Sequence, residues 1–255
     1  MSLASMVASM MTSFFIFLRC VRILAVEQLR EPIAVFWSLL APVAFLALSA
    51  YHAGGFVLSP EQWVDKFGMG LAYVGITMSL FTFGMYLIGR RESGFVRSFL
   101  IRAVRRRRFV FVQYAASYFT LLTYGAIYGL ISAFLVEGVQ WQACLAIYGR
   151  FALFSAALMF GTICVAILPL TFQSASSVMS MLLMVFVVSG LAAFGMSDNS
   201  GFAYINPFNS GAKFIARGLA SEILIAALIA QVLVLAVLGC AGLRWQKVNP
   251  EWSNR

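Results

Sequence analysis

From Ile223 to Leu243 the chain runs without a charged residue, enough helix to cross a bilayer hydrocarbon core of roughly 30 Å, which takes about 20 residues. Windows of the same kind recur at 33–51, 67–89, 110–136, 143–168 and 178–195. Inside lipid every backbone N–H and C=O must be satisfied, which leaves helices or a closed barrel. Barrel alternation at every second residue is absent, so each window is predicted to be a helix. With 62% hydrophobic residues against 11% charged, the composition lies far from that of soluble domains. Together these features predict an all-α integral membrane protein of six transmembrane helices. A single domain over 1–255 accounts for the length, with no room for a separate soluble domain.

Orientation follows from the basic residues, which short loops retain on the cytoplasmic side. The segment 90–108 carries eight arginines between two apolar windows. With both termini cytoplasmic, every Lys and Arg except Lys66, Arg150, Lys213 and Arg217 falls on that side. The prediction is a multi-pass plasma-membrane protein, as in a bacterial inner membrane. Glu61, Asp65 and Lys66 then occupy a loop before the second span, and 169–177 is a polar connector between the fourth and fifth.

The apolar run at 14–18 precedes its first basic residue, Arg19, whereas a secretion signal carries its charge ahead of the run. On a helix, Arg19, Arg22, Glu27 and Arg30 share one arc, and Leu18, Val21, Leu24, Ala25 and Leu29 share the other. That pattern predicts an interfacial amphipathic helix over 1–31, apolar side toward lipid, until Pro32 turns the chain into the first span. The alternative is a poorly formed seventh span.

Within the arginine segment, Phe95, Val96, Phe99, Leu100 and Ala103 project to one side of a helix, while Arg97, Ser98, Arg102 and Arg105 lie mostly opposite. Such a helix fits an apolar groove on a soluble partner, its arginines meeting carboxylates there or lipid phosphates nearby. Charge alone favours a simpler reading, a topogenic cluster that holds orientation and touches anionic lipid. Arg105, Arg106, Arg107 and Arg108 are read as the part that anchors at the membrane surface.

Three motifs in order shift that balance. Arg91-Glu92-Ser93-Gly94-Phe95-Val96-Arg97 resembles the E-x-G-x-x-(R/K) loop of the type-2 ABC exporter permeases. The stretch from Arg30-Glu31-Pro32 to Ala41-Pro42 is similar to the beginning of that family's first span. Ile205-Asn206-Pro207-Phe208, followed by Ala212-Lys213-Phe214-Ile215-Ala216-Arg217, resembles its N-P loop between the fifth and sixth spans. The resemblance implies a six-span permease subunit, paired with a second copy of itself or with a homologous permease, working with a separate nucleotide-binding ATPase that holds ATP and Mg. It implies a cytoplasmic coupling helix after Glu92, with Arg91, Glu92, Gly94, Phe95, Arg97, Phe99 and Arg102 engaging that ATPase, and the N-terminal helix contributing to the same interface. It implies a re-entrant segment over 197–221, with Asn206, Pro207, Phe208 and Lys213 near the extracellular gate. The chain departs from the family pattern at Ala103 to Arg105, where many relatives place a Thr-Pro turn.

The resemblance further implies a pathway lined by the first, second and fifth spans, where this chain offers Phe81, Met85, Met181 and Met184. An apolar, adaptable lining of this type suits a lipid, drug, amphiphilic peptide or lipid-linked glycan moved outward. The same residue types are also ordinary in the cores and lipid-facing surfaces of membrane helices.

No phosphate-binding Gly-x-x-x-x-Gly-Lys-[Ser/Thr] is present; Gly211-Ala212-Lys213-Phe214 lacks the pattern. The chain is therefore not expected to be an enzyme or to bind a cofactor, and ATP hydrolysis would belong to another subunit. His52 stands alone, and Cys20, Cys144, Cys164 and Cys240 lack paired spacing, so no metal site or disulfide framework is expected. Nothing points to nucleic acid. Gly125-x-x-x-Gly129 reads as helix packing inside one subunit. Arg150, about two turns into the fourth span, needs a partner or must snorkel; Glu137 is a candidate, and an anionic substrate or headgroup is the alternative. A second function class stays open, a non-transporting assembly subunit of a translocation or secretion complex.

Overall fold

The computed structural model describes residues 3–52, 58–99, 103–134, 141–194 and 202–245. Among these the chain is helical, without strands. The order is α1 (Leu3–Leu29), α2 (Pro32–Val35), α3 (Ala41–His52), α4 (Pro60–Thr77), α5 (Met85–Glu92), α6 (Phe95–Phe99), α7 (Ala103–Ala133), α8 (Trp141–Thr162), α9 (Phe172–Phe194), α10 (Phe202–Ile205), α11 (Pro207–Arg217) and α12 (Glu222–Arg244). A π-helical turn, Phe36–Leu40, joins α2 to α3, another, Met78–Gly84, joins α4 to α5, and a 3-10 turn, Ile163–Ile167, extends α8.

Among the described residues, four helical stretches are long and apolar enough to cross a membrane: Pro60–Glu92, Trp141–Ile167, Phe172–Leu191 and Glu222–Arg244. They coincide with four of the six predicted windows. The window at 33–51 is helical too, but its apolar helix is the shorter Phe36–Leu48. The window at 110–136 falls largely in α7, whose Gln113, Ser117, Thr120 and Ser132 are buried. These side chains lower its hydropathy yet face other helices.

Two boundaries move relative to the sequence reading. Glu61, Asp65 and Lys66 lie in the first turns of α4 rather than in a loop. Ser59 caps that helix by accepting from the Gln62 N–H, Pro60 takes the first position, and Glu61 lies at the positive end of the helix dipole. The connector expected over 169–177 is also shorter, because α9 begins at Phe172. Thr171 and Ser174 exchange bonds there, each side-chain oxygen accepting from the other's backbone N–H, the reciprocal arrangement of a capping box.

Pro60–Glu92 forms the centre of the bundle: 78% of its apolar window is buried, against 11% for Glu222–Arg244. α11 lies along α4, and α7 and α8 cover other sides of it. A Cβ at Gly68 would stand 2.7 Å from the Ala216 Cβ and 2.8 Å from the Ala212 carbonyl oxygen. Only glycine lets α4 and α11 approach this closely. Trp63 stacks on Phe67 and Phe67 on Tyr128, with centroids 4.7 and 5.7 Å apart, and the Trp63 indole donates to the Ser132 carbonyl at 3.0 Å. Gly125 abuts Phe151, and Gly129 lies near Phe67. That glycine pair therefore packs within the chain.

The N-terminal helix departs from expectation in what it packs against. Ala25 and Gln28 are buried where α1 meets α7, and Gln28 Nε2 donates to Ser117 Oγ at 2.8 Å. Part of the arc expected to face lipid thus packs against protein. Arg19 and Arg22 stay exposed, with Phe15, Ile23 and Val26 also exposed.

Candidate functional site

The site begins where the central helix stops. Ser93 N–H donates to the Gly89 carbonyl and Gly94 N–H to that of Arg91, with Gly94 at φ +75°. This left-handed residue ends α5 and releases the chain into the short α6, whose Ser98 N–H reaches back to the Gly94 carbonyl. Glycine is the residue that enters this region without a Cβ penalty.

Arg91 is buried, and its guanidinium donates to the carbonyls of Ala166 (3.3 Å), Leu168 (2.7 Å) and Leu170 (2.5 Å). Those carbonyls follow from the local sequence. Pro169 biases Leu168 out of the helical region, and Leu168 adopts ψ 135°. The last carbonyls of the α8 rod then lack intrahelical partners, and a planar five-donor group is suited to collect several at once.

Glu92 acts on the next helix. Its Oε2 accepts from the Phe172 N–H at 2.6 Å, placing a carboxylate at the positive end of α9. Arg91 and Glu92 therefore fasten the end of the central helix to both sides of the α8–α9 junction.

A second tie reaches α1. Arg90 and Glu27 form an ion pair at 2.7 Å, and the Tyr86 hydroxyl donates to Glu27 while accepting from Arg90. The Arg90 guanidinium lies 4.6 Å from the Tyr86 ring centroid and 5.6 Å from that of Phe95. Phe95 in turn meets Phe109 of α7 at 5.5 Å. One short segment thus touches α1, α5, α6, α7 and the α8–α9 junction. For Arg97 and Phe99 only the backbone is described, within α6, and Arg102 lies outside the described residues. Arg105, Arg107 and Arg108 are exposed in the first turns of α7, and Arg106 is half-buried.

The segment predicted to be re-entrant is helical over its described part. Asn206 caps α11: its Oδ1 accepts from the Phe208 N–H at 2.9 Å, and Pro207 holds the first helical position. The Asn206 amide also donates to the Phe186 carbonyl (2.7 Å) and to Ser189 Oγ (2.9 Å) of α9. Phe208 is buried against Gly190, and the Lys213 ammonium sits 4.7 Å from the Tyr204 ring centroid. Ser210 donates to Gln231 of α12, whose amide donates to the carbonyls of Tyr204 and Ile205.

Arg150 finds its partners at the other end of α11. Its guanidinium donates to the carbonyls of Ala216 (2.9 Å) and Phe214 (3.4 Å), a favourable place for a cation because the helix dipole is negative there. Gly218, at φ +75°, ends the helix beside it. Neither snorkelling nor a carboxylate is needed; Glu137 lies outside the described residues. Asp65 of α4 pairs bidentately with Arg217, at 2.7 and 3.0 Å.

The four residues expected to line a pathway are not gathered together. Met85 is buried with Ile88, Val165, Ala175 and Met179, and Phe81 packs partly against the same cluster. Met181 and Met184 point outward from α9, exposed by 72% and 65%. Sequence reasoning also missed the use of Glu27 and Tyr86, and the self-binding of Arg91 and Glu92. A signal for the latter existed in the helix-ending Leu168-Pro169 and the capping pair Thr171 and Ser174.

No family model matches the chain, and no solved structure matches it. The chain is similar to Protein McbE of Escherichia coli, with 23% identity over 238 residues that cover 91% of this chain and 97% of that protein.

Proposed function

We propose that the chain is the membrane-spanning permease subunit of an ATP-driven ABC exporter, moving a hydrophobic or amphiphilic cargo outward by alternating access. In this reading α2–α3 and α7 complete six spans with the four apolar stretches, and both termini are cytoplasmic. A second permease copy or a homologous permease, and a separate nucleotide-binding subunit that carries ATP and Mg, complete the transporter. α6 is the coupling helix and the α10–α11 segment borders the extracellular gate.

The observation that carries the reading is the junction at Arg90 to Phe95. A partner pressing on α6 would act directly on the most buried helix of the bundle, and through Arg91 and Glu92 on α9. Interior packing transmits such displacements, because close-packed helices have little slack. Arg91 and Glu92 are positioning residues here, and the surface left for an ATPase is the outer side of α6.

The test is purification of the tagged full chain from detergent-solubilised membranes of its own cells, followed by assay of ATP hydrolysis in the eluate. A stoichiometric nucleotide-binding subunit is expected, with loss of its association in Ser98→Trp, which alters the exposed side of α6 and leaves the Arg90–Phe95–Phe109 contacts in place, while membrane insertion persists. If the variant retains the partner and its ATPase stimulation, α6 is not the coupling helix. If the intact chain brings down no ATP-hydrolysing subunit, the exporter reading falls and the assembly-subunit reading takes its place.

A further inference from the structure

The four arginines at the start of α7 are not equivalent. At about 100° per residue, Val104, Arg108, Phe111, Phe119 and Leu130 fall on one side of the helix, and all five are exposed. Arg105 and Arg107 flank this stripe and are exposed, whereas Arg106 points to the opposite side, is half-buried and is engaged in an interaction of its own. The polar residues Gln113, Ser117 and Thr120 are buried against other helices. The exposed side is thus apolar above Arg108 and basic at its base.

The spacing along the axis matches a bilayer. Phe111 to Leu130 spans about 28 Å at 1.5 Å per residue, close to the roughly 30 Å hydrocarbon thickness. Arg108 then lies about 4.5 Å beyond Phe111, and Arg105 about 9 Å beyond it, at the depth of the lipid phosphates. The first turn of α7 contains no acidic residue, and among the described residues none of Arg105, Arg107 and Arg108 pairs with a carboxylate. Their exposed guanidinium groups are open to anions at the membrane surface.

We propose that Arg105, Arg107 and Arg108 form a binding site for the phosphodiester headgroup of an anionic phospholipid whose acyl chains lie along the Phe111–Phe119–Leu130 stripe. Guanidinium groups match phosphate oxygens in bidentate geometry, and the adjoining apolar stripe selects a lipid over a soluble anion. The site rests on the reading of α7 as a membrane span, but not on coupling to an ATPase.

The experiment is native mass spectrometry of the purified full chain titrated with dioleoyl phosphatidylglycerol, dioleoyl phosphatidylcholine or inorganic phosphate. Phosphatidylglycerol is expected to bind preferentially. Arg108→Gln, which leaves seven arginines in 90–108 to hold orientation, is expected to weaken it about fivefold, the contribution of one arginine at an anionic surface. Arg106→Gln should change it less than about twofold, since a residue on the far side is not in the site. Equal affinity for the two lipids, no loss in Arg108→Gln, or an equal loss in Arg106→Gln overturns the site. Competition by millimolar phosphate overturns the lipid assignment in favour of a soluble anion. A separate arm labels Phe111→Cys in membranes with a water-soluble maleimide. Free labelling there refutes the span itself, whereas protection together with wild-type lipid binding by Arg108→Gln refutes the site alone.

Discussion

The Arg91 guanidinium donates to the Leu168 carbonyl at 2.7 Å across a sequence separation of 77 residues, and the same group holds Ala166 and Leu170. A residue at the end of one helix therefore closes the end of another. Arg91→Gln is expected to destabilise the protein by about 2–4 kcal/mol, because buried carbonyls lose a charged donor. Arg91→Lys should recover only part, since an ammonium lacks the planar fork. Thermal unfolding in detergent decides; equal stability of wild type and Arg91→Gln would remove the clamp from the account.

Asn206 combines acceptance and donation, and two substitutions separate them. Asn206→Ser keeps an oxygen to cap the Phe208 N–H but loses donation to Phe186 and Ser189, whereas Asn206→Ala loses both. The alanine variant is expected to be the less stable by about 1 kcal/mol, the usual worth of an N-cap. Amide hydrogen exchange at the start of α11 should accelerate in Asn206→Ala and remain slow in Asn206→Ser.

Gly68 sets the separation of α4 and α11. In Gly68→Leu the side chain meets Ala216 and the Ala212 backbone, so overpacking is expected to cost about 1–3 kcal/mol or force the helices apart. Distances between spin labels on exposed positions of the two helices would report the shift. An unchanged distance with unchanged stability would contradict the close approach.

The Asp65–Arg217 pair has good bidentate geometry but an exposed arginine. A double-mutant cycle with Asp65→Asn and Arg217→Gln is expected to give a coupling below about 1 kcal/mol. Raising the salt concentration should reduce it further. A larger, salt-insensitive coupling would mean that the pair is sheltered from solvent.

Apolar runs told most about the fold, and polar residues least. The stretch at 223–243 has no charge to misread, and α12 occupies Glu222–Arg244. α7 was harder, because Gln113, Ser117 and Thr120 lower its hydropathy although burial hides them. The beginning of α4 was obscured by Glu61, Asp65 and Lys66, whose charges suit a first turn as well as a loop. At the candidate site, Gly94 and the Asn206-Pro207 cap announced themselves by local chemistry. Arg91, Glu92 and Arg150 did not, since their long-range partners are backbone groups 64 to 80 positions away, marked at most by the helix break at Leu168-Pro169 and the cap formed by Thr171 and Ser174.

α9 is held near both ends and is largely bare between them. Its first N–H is taken by Glu92, and its Phe186 carbonyl and Ser189 hydroxyl by Asn206, while only 17% of its apolar window is buried. A helix of 23 residues is about 34 Å long and stiff along its axis. It works as a tie rod, packed along one side through Ala175 and Met179, and a push along the axis at one anchorage is delivered to the other. Lengthening or shortening the distance between Glu92 and Asn206 therefore requires breaking one of the two fastenings, or the rod itself.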